Sequence, residues 1–185
     1  MTTLSNLARE VGVNERTLRR AVNEGALKAS RPSPRVLELP LSESLYIRRR
    51  WPLIARLRAA LRTERNVRFA FLFGSAARGE DTEQSDVDVI ADLWDGSLER
   101  VFDLERRLED AVGKSVDVVR LEDAEEDPTF LANALDVGRV LVDRRGAWLD
   151  LIDRLPGLRR MGRRRDAKRK RDALAGIDRF LAARR

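Results

Sequence analysis

Two hydrophobic periods organise this chain. Between residues 66 and 143, short apolar runs separated by polar turns predict strands at 67–73, 87–91, 115–120 and 140–143. Stripes at helical spacing predict helices at 98–112, where Leu98, Val101, Phe102, Leu104, Leu108 and Val112 recur, and at 129–137. Strands that alternate with helices define an α/β (α+β) domain with a mixed sheet. Upstream, Leu4, Leu7, Ala8 and Val11 form one stripe, Gly12 supplies a turn, and Asn14 is a good N-cap for a second stripe of Leu18, Ala21 and Val22. This is the pattern of a helix-turn-helix. Short strands at 27–30 and 36–39 around the turn RPSPR would add a wing. Ser42 caps a predicted helix through Arg50, and Pro52 opens another to about Arg62, with Leu53, Ile54, Leu57, Ala60 and Leu61 inward. Beyond Val142 a helix is expected at 147–155, broken at Pro156-Gly157. A basic run follows and ends in a stripe of Leu174, Ile177, Phe180 and Leu181. Three parts result: 1–50, 51–145 and a basic helical region at 146–185.

The chemistry concentrates in the stretch FLFGSAARGEDTEQSDVDVIAD. Side chains at i and i+2 of a strand share a face, so Asp86 and Asp88 project together, roughly 7 Å apart, while Val87 and Val89 turn to the core. Aspartate is a poor strand former, and two on one face point to a function that overrides local preference. In Ser115-Val116-Asp117-Val118-Val119 the same alternation places Asp117 on the Asp86/Asp88 side if the strands are neighbours. Paired carboxylates suit Mg²⁺, whose coordination is commonly completed by substrate phosphates. The Gly74-Ser75 turn lets backbone N–H groups approach a phosphate, with Arg78 beside it. Three carboxylates next to such a turn fit two-metal phosphoryl or nucleotidyl transfer.

At these residues, GSxARG over 74–79, SDxDV over 85–89 and a later lone strand aspartate, the chain resembles the DNA polymerase β-like nucleotidyltransferases. It is most similar to the minimal nucleotidyltransferases that accompany HEPN toxins, and the resemblance covers about residues 66–143. The resemblance implies that Gly74 and Ser75, with Arg78 and Ser85 nearby, bind the nucleoside triphosphate. It also implies that Asp86, Asp88 and Asp117 form the metal-binding and catalytic triad, with two Mg²⁺ ions and ATP as substrate. Asp117 would act as the general base, and the partner would be a HEPN-type toxin.

Composition narrows the field. With no histidine and no cysteine, imidazole catalysis, thiolate metal sites and disulfides are excluded. The longest apolar stretch, FAFLF, is far shorter than a membrane helix, so no membrane role and a cytoplasmic protein are expected. The net charge of +6 is segregated. Residues 1–65 carry 14 basic and 6 acidic side chains, residues 66–143 carry 8 and 20, and residues 144–185 carry 15 and 5. An acidic centre needs cations for a triphosphate to approach, and basic flanks favour polyanions or an acidic partner.

In the first segment, Asn14, Arg16, Thr17, Arg19 and Arg20 are candidate DNA contacts from the second helix, and Arg31 and Arg35 from the wing. A small packing or dimer module is the other reading of these helices. Trp51, Trp94 and Trp148 are expected as packing anchors. The leading functional expectation is an antitoxin-like enzyme that moves AMP from ATP to a hydroxyl of a partner toxin and regulates its operon through DNA. The alternatives are a DNA-binding regulator whose body senses nucleotide without chemistry, nucleotide transfer to RNA such as a tRNA 3′ end, and modification of a small molecule.

Overall fold

The computed structural model describes residues 3–33 and 36–182, with the side chains of 32, 33, 36 and 176–182 outside the description. A four-stranded mixed sheet forms the centre, built from β3 (Val67–Leu72), β4 (Val87–Leu93), β5 (Val116–Arg120) and β6 (Arg139–Asp143). Its spatial order is β5-β4-β3-β6, with β4 and β5 parallel and the other pairs antiparallel. One face buries Ala70, Leu72, Val87, Val89 and Val116 against helices α3 (Leu41–Thr63) and α5 (Leu98–Val112). The other buries Phe69, Phe71, Ile90 and Val140 against α6 (Leu121–Glu125), α7 (Pro128–Val137) and the first part of α8 (Ala147–Ala182). Val67 and Phe69 stand two apart yet enter opposite faces. The β3–β4 register shifts between them, and a bulge of this kind inverts the side-chain alternation.

The N-terminal helices α1 (Leu4–Glu10) and α2 (Glu15–Asn23) turn about Gly12, with the Asn14 side chain capping α2 by accepting from Arg16 N at 2.8 Å. A hairpin of β1 (Ser30–Ser33) and β2 (Val36–Glu38) follows. Its first strand begins three residues later than the sequence pattern predicts, because Ala26 and Leu27 are drawn into the core instead. Leu4, Leu7, Leu18 and Ala21 join the same core as the sheet face that packs on α3 and α5.

Two prolines expected at helix boundaries lie inside helices instead. Helix α3 is continuous through Pro52, so the boundary expected at 50/51 falls inside it, and α8 is continuous through Pro156. Both prolines lie on exposed sides of their helices, where the ring turns to solvent and a single main-chain donor is lost. Trp51 and Trp148 are packed as expected, the latter against Phe69 and Phe71. Trp94 is not an anchor. It is 74% exposed, with the Arg68 guanidinium 4.9 Å above its ring. Leu174, expected in a packed stripe, is exposed, and the side chains of Ile177, Phe180 and Leu181 lie outside the description. Among the described residues no helix is long and apolar enough to cross a membrane.

Candidate active site

The chain reverses from β3 into a single helical turn, α4 (Gly74–Arg78). Gly74 makes that reversal with φ +67°, a conformation that favours glycine, and a Cβ there would lie 2.0 Å from Asp88 Oδ2. The turn is therefore seated directly on the first aspartate inside β4. Phe73 N donates to Asp88 O at 2.9 Å and fixes this approach from the main chain.

Parallel pairing of β4 with β5 sets Asp88 in register with Asp117, the neighbour relation that the strand pattern required. Asp86 precedes β4 and is exposed, as is Asp117, while Asp88 is half-buried. Partial burial, reinforced by the Asp117 and Asp86 carboxylates, raises the pKa of Asp88 above its ordinary value, and Arg78 offsets part of that rise. None of the three carboxylates enters an ion pair or side-chain hydrogen bond with another described residue. Nor do they close into a compact ligand set, since no group of three such residues converges at metal-binding distance among those described. Their hard oxygen donors, and a glycine whose missing Cβ leaves room for the Asp88 carboxylate, are suited to a divalent cation.

The other predicted residues are placed more variously. Ser75 sits in the turn, with its carbonyl accepting from Glu80 N at 3.0 Å. Arg78 pairs with Glu80 at 2.5 Å at the exposed rim. The Ser85 hydroxyl is engaged by the 82–85 turn, accepting from Thr82 N at 2.9 Å and lying 3.0 Å from Thr82 Oγ1.

Behind the turn lies a buried polar network that the sequence pattern does not predict. Arg139 at the start of β6 pairs with Glu43 of α3 through both guanidinium branches, at 2.6 and 3.0 Å, and donates from Nε to Ala77 O at 2.6 Å. Its guanidinium covers the Tyr46 ring at 3.4 Å, and Tyr46 donates to Ala76 O at 3.2 Å. Glu43 also accepts from Lys28 N at 3.0 Å, so the loop after α2 is tied to the same network. A second anchor holds the loop between α4 and β4, where buried Asp81 pairs with Arg50 at 2.8 Å and Lys114 at 3.6 Å. These contacts span up to 96 residues, and only a hydrophilic residue at an otherwise apolar position, such as Arg139 before Val140-Leu141-Val142, hints at them.

The N-terminal candidates lie apart from this site. Arg16, Thr17, Arg19 and Arg20 lie on α2, where Arg19 pairs with Glu15 at 2.5 Å and Arg20 with Glu24 at 2.6 Å. Arg31 donates to Asn23, and Arg35 lies outside the described residues. Asn14, Arg16, Thr17 and Arg20 line a groove of about 400 Å³ with Trp51, Arg58 and Arg62 of α3.

A mixed sheet with a glycine turn seated on strand aspartates is the architecture of a nucleotidyltransferase domain. Residues 56–146 match the family described as Polymerase beta, Nucleotidyltransferase. A Methanocaldococcus jannaschii protein named as a putative protein adenylyltransferase, MJ0435, is 43% identical over 54 residues, which is 29% of this chain and 58% of that relative's length. The fold is similar to that in a crystal structure of a toxin-antitoxin with AMP-PNP, with TM-score 0.52, 22% identity, and coverage of 69% of this chain and 98% of the other. It is equally similar to a mutant of the toxin-antitoxin MntA-HpeT, with TM-score 0.52, 19% identity and the same coverage.

Proposed function

We propose that this chain is a Mg²⁺-dependent protein adenylyltransferase of the antitoxin type, moving AMP from ATP to a hydroxyl of a HEPN-type toxin. The observation that carries the reading is the set of three uncompensated carboxylates at a glycine turn, Asp88 and Asp117 on adjoining strands and Asp86 just before the first of them. Support for the substrate and partner comes from the adenylyltransferase name of the M. jannaschii relative and the AMP-PNP and toxin in the similar folds.

In this reading the Gly74 and Ser75 main chain and Arg78 bind the triphosphate, and the engaged Ser85 hydroxyl shapes the loop beside it. Asp86 and Asp88, joined by Asp117, hold Mg²⁺, which supplies charge neutralisation and phosphoryl polarisation when bound. The Asp117 carboxylate takes the proton from the acceptor hydroxyl. That oxygen forms a bond to the α-phosphorus as the bond from the α-phosphorus to the bridging oxygen breaks, and pyrophosphate departs. The outer face of α2, with Arg16, Thr17, Arg19 and Arg20, binds operator DNA, with Asn14 shaping the helix start and the Arg31 hairpin alongside.

The test is incubation with α-labelled ATP, Mg²⁺ and a HEPN-type toxin together with RNA. Label should enter the toxin and vanish in Asp86→Asn/Asp88→Asn. Label in RNA alone overturns the protein acceptor, and transfer at the native rate by the double variant overturns the site.

A further inference from the structure

We propose that the distal half of α8 is a second nucleic-acid contact, a basic arm that lies in the major groove of duplex DNA. It stands independently of the transfer reaction and lies outside the 56–146 family segment. Gly162 is the last buried position among the described side chains of α8, packed so closely on Thr129 that a Cβ would lie 2.6 Å from its Oγ1. Arg165 donates to Glu126 O at 2.5 Å and Asp166 accepts from Thr129 Oγ1 at 3.4 Å, and there the helix parts from α7. Every described side chain from Arg163 to Ala175 is exposed.

Over Arg163–Asp172 this helix carries seven basic and two acidic side chains. Arg163, Arg164, Lys168, Lys170 and Arg171 enter no ion pair with another described residue. Seven positive charges within about three turns repel one another and oppose an isolated helix, so a polyanion is its natural complement. Their distribution selects the occupant. At about 100° per residue the seven cations circle the axis, leaving no sector wider than about 100° without one. A protein partner takes a helix on one stripe, usually with an apolar centre, and Leu174 is the arm's one described large apolar side chain. The major groove of B-DNA is about 12 Å wide, admits an α-helix and flanks it with phosphates on both sides. The deep, narrow major groove of A-form RNA does not admit side chains in this way.

The experiment is a salt titration of the full chain binding a labelled 30-base-pair DNA of mixed sequence, followed by anisotropy. Replacing Arg163, Arg164, Lys168, Lys170 and Arg171 by Gln should weaken binding at least ~10-fold at low salt. It should also flatten the slope of log K against log salt by about 0.9 for each phosphate that is no longer neutralised. The pair Lys168→Gln/Lys170→Gln should give a smaller change of the same kind, with thermal unfolding unmoved in both variants. Adding the five substitutions to Arg19→Ala/Arg20→Ala should flatten the slope again, which separates the arm from α2. Absence of duplex binding by the native chain, or an unchanged slope in the folded variants, overturns the proposal. So does equal binding to an A-form RNA duplex of the same length.

Discussion

Asp88 and Asp92 stand four residues apart on the same face of β4, with Ile90 between them, and they have opposite fates. Asp92 is clamped by Arg68 and, at 2.8 Å, by Arg145, so its charge is neutralised inside the fold. Asp88 has no such partner, and partial burial, reinforced by Asp117 in register and Asp86 nearby, raises its pKa. One aspartate serves the fold and the other is held against electrostatic preference, the pattern expected of a functional site rather than of a structural ion pair. The lesson extends through the acidic centre. Asp81 anchors a loop, Asp127 caps α7, and Asp143 accepts from four successive main-chain N–H groups between Arg145 and Trp148. In that setting the uncompensated carboxylates stand out.

The widest separation of the two aspartates should come from neutral replacement. Asp88→Asn is expected to lower AMP transfer by at least ~10³-fold while leaving the thermal midpoint equal to or above the native value. Comparable loss of folding would place Asp88 with the structural aspartates and erase the contrast. Asp92→Asn should do the reverse, destabilising by about 2 kcal/mol because two guanidiniums lose their counter-charge, a figure reduced for the exposure of Arg145. Transfer per folded molecule should stay near native, as urea melts and single-turnover assays on the same samples would establish.

The smallest effect is in pH. Because the folded-state pKa of Asp88 lies above the unfolded value of 3.8, the native state binds this proton more tightly. Stability contributed through this group is therefore gained as pH falls through the folded pKa towards 3.8, and is absent above that window. The difference in unfolding free energy between native protein and Asp88→Asn should slope with pH there and be flat above neutrality. A flat difference throughout would mean that neither burial nor the neighbouring carboxylates act on Asp88.

Much of this is legible in the sequence. Strict alternation in Val87–Val89 and Val116–Val118 marks the strands, and Gly74 is the only kind of residue that fits against Asp88. Periodicity also places α5 at its observed limits. Long-range pairing is out of reach. The SDxDV pattern singles out Asp88, but the role of Asp92 is not local, because it resides in Arg68 on β3 and Arg145 beyond β6. Glu43 and Arg139 stand 96 positions apart and meet only once the fold is made. Pro52 and Pro156 mislead because a proline signal carries no information about which helix face it will occupy.

The Glu43–Arg139 clasp has a consequence for inheritance. The carboxylate belongs to the helix that leads from the N-terminal unit, the guanidinium to the last strand of the sheet, and the backbone of Ala26 and Lys28 is held in the same clasp. A catalytic body transplanted without the helix that carries Glu43 would hold a guanidinium sealed beneath the Gly74 turn with no opposite charge, a severe penalty for any recombinant descendant. The N-terminal helices and the transferase body are thus expected to travel through gene fusions as one piece, so that exchanging the helices for another module would require a compensating change at Arg139.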